Sequence, residues 1–317
     1  MTSNILVTGG TGYKGSVLIP KLLRHGHHVT ALDIQWFGCE LLQHPRLTVI
    51  KRDVRLISLN ELACFDSIIH LASVANDPCG DLNPKLTWEI SALATMQLAD
   101  NARRAGIKQF IYASSGSVYG IKDETHVTED LPLEPVSEYN KTKMVAERVL
   151  LSYREDMAVQ IVRPATVSGL SPRMRLDVVV NMLTMQALKY GAITVFGGEQ
   201  YRPNVHIDDI TDLYVFLLQN PNITGIYNAG FENLTINEIA AYVADRTNSK
   251  IKVMKSNDPR SYRINSDKLL ATGFLPKKKV ADAVTEVISA YGNGILKDED
   301  RWYNLRWMQN KNIQELQ

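Results

Sequence analysis

The 317-residue chain carries 35 Lys and Arg against 34 Asp and Glu, which gives a formal net charge of +1. Such a nearly neutral chain has no overall field to attract nucleic acid or an anionic membrane, so neither partner is expected. Its three cysteines lack C-x-x-C spacing, which argues against a disulfide framework and against a metal site. The N-terminus shows no signal-peptide pattern and no run of about 18 apolar residues is present, which predicts a cytoplasmic protein.

Short apolar runs alternate with helical stretches through the first two-thirds of the chain. The runs are "NILVTG", "HVTALD", "LTVIKRDV", "SIIHLAS", "QFIYASS" and "VQIVRP". Nearly continuous hydrophobic runs are typical of parallel strands that are buried on both faces. The alternation therefore predicts an α/β fold with a Rossmann-type, doubly wound parallel sheet.

Beyond Pro164 the pattern loosens. Helices are predicted over "VVVNMLTMQALKYG", "DDITDLYVFLLQN" and "TINEIAAYVADRT", and a hairpin over "ITVFGGEQYRPNVHI". We expect a Rossmann domain at residues 1–166, with returns at about 203–230, and a smaller α/β substrate-binding lobe with a C-terminal tail at 167–317. Trp302 and Trp307 in the polar tail predict that it packs on the body or on a neighbouring subunit.

The stretch "VTGGTGYKG" follows the first strand and begins a helix, with Gly9, Gly12 and Gly15 in G-x-x-G-x-x-G spacing. Glycines in this context let the backbone approach a pyrophosphate at the helix N-terminus. The loop, with Tyr13 and Lys14 between the glycines, predicts dinucleotide binding.

Three residues at the ends of the next two strands are expected near the adenosine of that dinucleotide. Asp33 ends the second strand, where a carboxylate can accept hydrogen bonds from the ribose. No arginine follows it to accept a 2′-phosphate, so NAD is favoured over NADP. Asp53 and Val54 follow the third strand and are positioned to cover the adenine, although an ordinary strand-end carboxylate fits the sequence nearly as well.

Tyr139 and Lys143 lie four residues apart on a predicted helix, "SEYNKTKMVAERVLLSYRED", and so share one face. A free tyrosine has a pKa near about 10, so action as a base at neutral pH requires roughly 4 kcal/mol of stabilisation of its phenolate. A nearby ammonium and the positive charge of an oxidised nicotinamide can supply it. The spacing also arises by chance, but the serine-rich turn in "FIYASSGSVYG" provides a hydroxyl group for the same site.

The order of "TGGTGYKG", Asp33, "HLAS", "YASSGSVYG", "YNKTK" and "RP" resembles the extended short-chain dehydrogenases/reductases, the NAD-dependent epimerase/dehydratase family that acts on nucleotide sugars. The resemblance implies that Tyr139 is the catalytic base, that Lys143 is its partner and a ribose ligand, and that Ser115 is the catalytic serine. It also implies further NAD contacts from Leu71, Ala72, Ser73, Ala113 and Pro164.

The same resemblance implies a nucleotide-diphosphate sugar as substrate and a homodimer formed by two helices, "SALATMQLADNARRAG" and "YNKTKMVAERVLLSY". Arg202 and Arg260 are expected at the phosphates of the substrate. Arg173 and Arg175 are further candidates, with a solvated basic loop as the alternative. Thr166 stands where the family has an asparagine that contacts the substrate.

The residues after Ser115 narrow the reaction. Dehydratases of the family carry an Asp-Glu pair there and decarboxylases usually have the Glu, whereas this chain has Gly116 and Ser117. Without the acid, dehydration loses its proton donor. We therefore expect a C4 epimerase that forms a transient 4-keto sugar, with Ser117 near the substrate. A C4 dehydrogenase, which "ATVSGLSPRMRLDVVVN" resembles, a 4,6-dehydratase and a non-catalytic NAD-sensing protein stay as alternatives.

Overall fold

The computed structural model describes residues 2–255 and 261–313. Strands and helices alternate along the first half of the chain, as the sequence predicts. The strands are β1 (Asn4–Thr8), β2 (His28–Asp33), β3 (Leu47–Lys51), β4 (Ser67–His70), β5 (Gln109–Ala113), β6 (Ala158–Pro164), β7 (Thr166–Ser168), β8 (Ala192–Phe196), β9 (Tyr201–His206), β10 (Gly225–Ala229), β11 (Glu232–Thr235) and β12 (Lys250–Met254).

The helices connect these strands and cover both faces of the sheet. They are α1 (Gly15–Arg24), α2 (Leu59–Leu62), α3 (Asp77–Leu82), α4 (Pro84–Trp88), α5 (Ala94–Ala105), α6 (Glu138–Leu151), α7 (Val179–Tyr190), α8 (Ile207–Gln219), α9 (Ile236–Thr247), α10 (Asp267–Leu270), α11 (Val280–Gly292) and α12 (Asn304–Asn310). Among the described residues, none of the helices has the combination of length and apolar character that crossing a bilayer requires.

Seven parallel strands form the central sheet in the order β10-β6-β5-β4-β1-β2-β3. Successive side chains of a strand point to opposite faces, and both faces here are apolar. Ile5 and Val7 of β1 pack with α1 and α8 on one side, whereas Leu6 packs with α5 and α6 on the other. The sheet is therefore doubly wound, and the predicted fold class is confirmed.

The strand order reverses between β1 and β4, which are neighbours in the sheet. At such a switch point the connections leave in opposite directions, which opens a crevice at the carboxyl ends of the strands. Ligands of open α/β sheets bind in that crevice. The fold thus places the glycine loop after β1 beside the segment after β4.

The second half of the chain does not form the expected hairpin. β8 pairs in parallel with β12, whereas β9 pairs with β11 and β7 in a different sheet. Gly197 and Gly198 between them have φ of 80° and 116°, and a Cβ on Gly198 would lie 2.2 Å from the Asn237 side chain. The hairpin prediction is wrong, because the partners of β8 and β9 come from distant segments of the chain.

A buried ion pair joins the strands and helices that carry the predicted catalytic residues. Arg163 of β6 is 2% exposed, and its guanidinium donates to both carboxylate oxygens of Glu147 on α6, at 2.9 and 2.7 Å. Ser114, directly after β5, also donates to Glu147, and Tyr119 accepts from Arg163 at 2.7 Å. The pair therefore holds β5, β6 and α6 in one arrangement.

Replacement of Glu147 by alanine should lower the free energy of unfolding by about 3–5 kcal/mol, because the Arg163 guanidinium would remain buried without its partner. Urea denaturation monitored by circular dichroism measures this loss. Glu155→Ala, which removes the partner of the exposed Arg154, is the matched control and should cost little. Equal losses in the two variants would contradict the role of the buried pair.

Candidate active site

A cavity of about 530 Å³ lies at the carboxyl ends of the central strands, between the sheet and the C-terminal lobe. Every predicted site residue in the described part of the chain lines it. These residues are Gly9, Gly12, Tyr13, Lys14, Gly15, Asp33, Asp53, Val54, Leu71, Ala72, Ser73, Ala113, Ser115, Ser117, Tyr139, Lys143, Pro164, Thr166, Arg173, Arg175 and Arg202. Arg260 lies outside the described residues.

The glycine loop between β1 and α1 meets the end of β4. Gly9 has φ of 69°, and a Cβ there would lie 2.6 Å from the backbone nitrogen of Ala72. A Cβ on Gly15 would lie 2.3 Å from the carbonyl oxygen of Gly10. Only glycine fits at these two positions, and the result is a smooth backbone cradle at the N-terminus of α1. This cradle fits the diphosphate of a dinucleotide.

Asp33 stands at the end of β2 and lines the cavity. Its two carboxylate oxygens accept hydrogen bonds from the backbone N–H of Thr11, at 3.1 Å, and of Gln35, at 2.7 Å. Burial raises the pKa of this carboxyl, and the charge of Arg173 opposes that rise. The fold therefore brings an arginine close to Asp33, although none follows Asp33 in the sequence.

Asp53 and Val54 form the wall after β3. The Asp53 side chain caps a short 3₁₀ turn by accepting from the Arg55 backbone at 2.8 Å, and it also binds the Arg55 guanidinium at 2.9 Å. Val54 is almost fully buried beside it. Because Arg55 already engages the Asp53 carboxylate, an adenine contact by this group remains a prediction.

Tyr139 and Lys143 are on the first two turns of α6, where Ser137 caps the helix by accepting from the Asn140 backbone. The Lys143 ammonium donates to the carbonyl of Ala113 at 2.8 Å and lies 5.8 Å from the centre of the Tyr139 ring. Ser115 follows β5 and is close enough to Tyr139 for its hydroxyl to lower the pKa of the tyrosine. The fold thus places the hydroxyl, the phenol and the ammonium together.

Charge and burial set the protonation of this group. Burial, followed by the nearby Asp77 carboxylate, raises the pKa of Tyr139 to about 12, while the hydrogen bond from Ser115 and the charge of Arg175 act in the opposite direction. Burial and the charge of Lys14 lower the pKa of Lys143 well below its usual range. Tyr139 is therefore a protonated phenol in the protein alone, and a base only when further positive charge approaches.

The two residues after Ser115 carry no charge. Its hydroxyl hydrogen-bonds the Ser117 hydroxyl at 2.6 Å, and Ser117 donates in turn to the Asn140 side chain. A Cβ on Gly116 would lie 2.4 Å from a methyl carbon of Ile264. Ile264 thus fills the space that a side chain at position 116 would need.

Several residues that the sequence analysis did not select also line the cavity. Asn76 has φ of 77°, caps α3 and donates to Asp177 at 3.3 Å. The Asn-Asp-Pro run marks a helix start in the sequence, but nothing in it indicates a cavity. Further polar or aromatic residues of this kind include Trp36, Phe37, Arg52, Asp77, Asn140, Asp177, Tyr262 and Asn304. Asn304 belongs to the C-terminal tail, whose place in the fold the sequence does not reveal.

The predicted substrate residues come from two places. Arg202 of β9 and Thr166 of β7 line the side of the cavity next to the small sheet. Arg175 is buried and forms a two-point ion pair with Asp177, at 2.9 and 3.0 Å. Arg173 is buried beside Asp33 and Phe37. Their roles toward the substrate remain predictions.

A cluster outside the cavity has donor atoms of the kind that bind metals. His206, Asp208 and Glu286 place their ligand atoms within 4.8 Å of one another. The Lys278 ammonium donates to both carboxylates, at 2.6 and 2.5 Å. These acids therefore already have a cationic partner, and the cluster is an ion-pair network.

Comparisons with known proteins agree with this site. Residues 5–230 match the model of the NAD dependent epimerase/dehydratase family. The chain is similar to UDP-glucuronic acid decarboxylase 1 of Danio rerio, with 30% identity over 94% of this chain and 75% of that protein. It is also similar to the putative UDP-glucose 4-epimerase of Methanocaldococcus jannaschii, with 26% identity over 90% of this chain and 97% of that protein.

Among solved structures, the UDP-glucuronic acid 4-epimerase of Bacillus cereus, in complex with UDP-glucuronic acid and NAD, superposes with a TM-score of 0.79. It is 27% identical, and the match covers 92% of this chain and 99% of that one. The cofactor is NAD. The chain therefore belongs to the NAD-dependent epimerase/dehydratase family of nucleotide-sugar enzymes.

Proposed function

We propose that the protein is a nucleotide-sugar C4 epimerase. The observation that carries this proposal is that the two residues after Ser115 carry no acid. Gly116 packs against Ile264, and Ser117 is engaged by Ser115 and Asn140, so neither position offers an acid to expel a hydroxyl group. An alcohol can be deprotonated in this site, but a leaving hydroxyl has no proton donor next to Ser115.

In the proposed reaction Tyr139 accepts the proton of the C4 hydroxyl, and Ser115 donates a hydrogen bond to the same oxygen. Lys143 stabilises the phenolate through its positive charge. Bound NAD would supply the acceptor and later the donor of the C4 hydride, and its positive charge would lower the pKa of Tyr139. Inversion requires that the 4-keto sugar turn over in the cavity, so that C4 would regain the hydride on its other face while Tyr139 returns its proton to the C4 oxygen.

A nucleotide diphosphate would be held at the far end of the cavity. Arg202 lines that end, and an arginine fork matches the geometry of phosphate oxygens. Arg260, by the family resemblance, and Arg175 are proposed as further ligands. Thr166 and Ser117 are proposed as neutral contacts of the sugar.

Decarboxylation is the second candidate, because a UDP-glucuronic acid decarboxylase is among the similar proteins. A panel of UDP-, GDP-, CDP- and dTDP-sugars that includes UDP-glucuronic acid separates the reactions by product NMR and NADH absorbance. Inversion at C4 without net NADH supports the epimerase. Release of CO₂ would instead identify a decarboxylase, and loss of water a dehydratase. A 4-keto sugar formed with one NADH per turnover would identify a dehydrogenase.

Replacement of Tyr139 by phenylalanine should lower kcat by at least about a hundredfold, because the proton acceptor is lost while the ring packing is retained. Tyr153→Phe, a change of the same chemistry outside the cavity lining, is the control and should leave kcat unchanged. Product NMR with the best substrate of the panel measures both rates. Full activity of the Tyr139 variant would overturn the assignment of the base.

Replacement of Lys143 by methionine should shift the activity to higher pH. Burial holds the pKa of Tyr139 at about 12 in the protein alone, and the charges of bound NAD and of Lys143 are proposed to lower it. Without the Lys143 charge the pKa stays higher, so less phenolate forms at any given pH. We expect the kcat of the variant to keep rising between pH 7 and 10, whereas the kcat of the parent protein reaches a plateau earlier. A pH profile parallel to that of the parent protein would contradict the electrostatic role.

We also propose a cytoplasmic homodimer. Leu93 and Met96, just before and within α5, are about half exposed, and their side of the helix is available to a second copy. Sedimentation should give twice 35.6 kDa, and Met96→Asp should shift the mass toward one chain. A parent protein that sediments as a single chain would refute the dimer.

The cytoplasmic location is proposed because the free cysteines Cys39, Cys64 and Cys79 fit a reducing compartment. Cell fractionation would test it.

A further inference from the structure

Three buried hydrogen-bond donors on side chains that line the cavity have no partner among the described residues. They are Nε of Arg173, Nε1 of Trp36 and Nε of Arg52. The Arg52 guanidinium is partly exposed and paired with Glu61, whereas Arg173 as a whole is only 2% exposed. Buried donors are rarely left unpaired in native proteins, so an acceptor from a ligand is expected here.

The Arg173 guanidinium is held rigidly on its other sides. One terminal nitrogen donates to the Asn304 side chain at 2.7 Å, and the other donates to the Met174 carbonyl at 3.2 Å. The guanidinium carbon lies 4.1 Å from the centre of the Phe37 ring. These contacts fix the plane of the guanidinium and leave its Nε as the unpaired donor.

The C-terminal segment that carries Asn304 packs along one wall of the cavity and is bound there at several points. Trp302 is buried against Tyr13 of the glycine loop and Met174, and its carbonyl accepts from Leu176 at 2.9 Å. Trp307 donates to the carbonyl of Trp36 at 2.7 Å. Residues 298–308, which we term the C-terminal strap, therefore join the loop after β2 to the loop that carries Arg173.

The charges at this end of the cavity favour an anion. Arg173 is buried, Arg175 and Lys14 are partly buried, and the Arg175 charge acts on both of the others. Among the described residues, Asp177 is the only one that forms a direct ion pair with any of the three. Burial and the Arg175 charge lower the pKa of Arg173, and likewise lower that of Lys14 to about 8. The protein alone thus compensates these cations incompletely, whereas a diphosphate would supply the missing negative charge.

We propose that Arg173 and Trp36 bind the adenosine diphosphate half of NAD. The C-terminal strap holds Arg173 in place through Asn304, so that NAD stays bound to this protein from one turnover to the next. The Arg173 guanidinium carbon lies 4.1 Å from the centre of the Phe37 ring, and Trp36 and Phe37 belong to the loop after Asp33, the residue expected at the adenosine ribose. This assignment moves Arg173 from the sugar nucleotide to the cofactor. It holds for the epimerase, decarboxylase and dehydratase reactions, which return the hydride to the sugar, but not for a dehydrogenase, which must release NADH.

The test is the rate at which protein-bound NAD exchanges with isotope-labelled NAD, measured by mass spectrometry without any sugar. Arg173→Gln should exchange at least about tenfold faster than the parent protein, because a charged hydrogen bond to the cofactor is lost. Asn304→Ser, which frees Arg173 without removing it, and Trp307→Phe, which removes the donor to Trp36, should each exchange faster by a smaller factor.

Arg306→Gln is the matched control, because Arg306 lies on the same strap but binds the exposed Asp300 outside the cavity. It should exchange at the parent rate. Circular dichroism melting checks that each variant is folded, and the Asn304 and Trp307 variants keep the test valid where Arg173→Gln does not fold. Parent-like exchange in those two folded variants would overturn the proposal.

Competition shows which half of the cofactor is involved. The ADP concentration that blocks uptake of labelled NAD by the holoenzyme should rise about tenfold in Arg173→Gln, whereas the blocking concentration of nicotinamide mononucleotide should stay unchanged. Equal changes for the two competitors would overturn the placement of Arg173. Because no sugar is present, failure here is distinct from failure of the proposed epimerase reaction.

Discussion

The buried pair of Arg163 and Glu147 is the interaction on which the arrangement of the site depends. It links the end of β6 to the middle of α6, one turn beyond Lys143, and Ser114 joins it directly before Ser115. Two charges removed from water are tolerated only when their geometry is well satisfied. The same contacts that satisfy them fix the distance between the strand that carries the serine and the helix that carries the tyrosine.

The cavity has two electrostatic regions with different consequences. The two residues after Ser115, Gly116 and Ser117, contribute no acid, and Ser117 is engaged by hydroxyl and amide groups. Elsewhere in the cavity the cations Lys14, Arg173 and Arg175 line the wall. The first region limits the chemistry, and the second favours a firmly held dinucleotide. An epimerase needs both properties, because the hydride must return to the sugar from which it came.

Much of the fold and of the site follows from local sequence patterns. Continuous apolar runs up to Pro164 predicted six of the seven strands of the central sheet, because strands that are buried on both faces show no alternation with polar residues. Gly9 and Gly15 were predictable because their backbone leaves no room for a Cβ. Tyr139 and Lys143 were predictable because helical spacing places residues i and i+4 on one face. The pairing of β8 and β9 was mispredicted, because strand partners depend on distant segments.

The sequence by itself determined the fold class, the cofactor, and the residue types at the reacting centre, because each rests on short-range geometry that a motif encodes. Only the tertiary structure decided that Ile264 fills the space beside Gly116, that Arg173 stands next to Asp33, and that Asn304 holds it there. These contacts join residues far apart in the chain. Packing and the compensation of buried charge select them, and neither leaves a local pattern in the sequence.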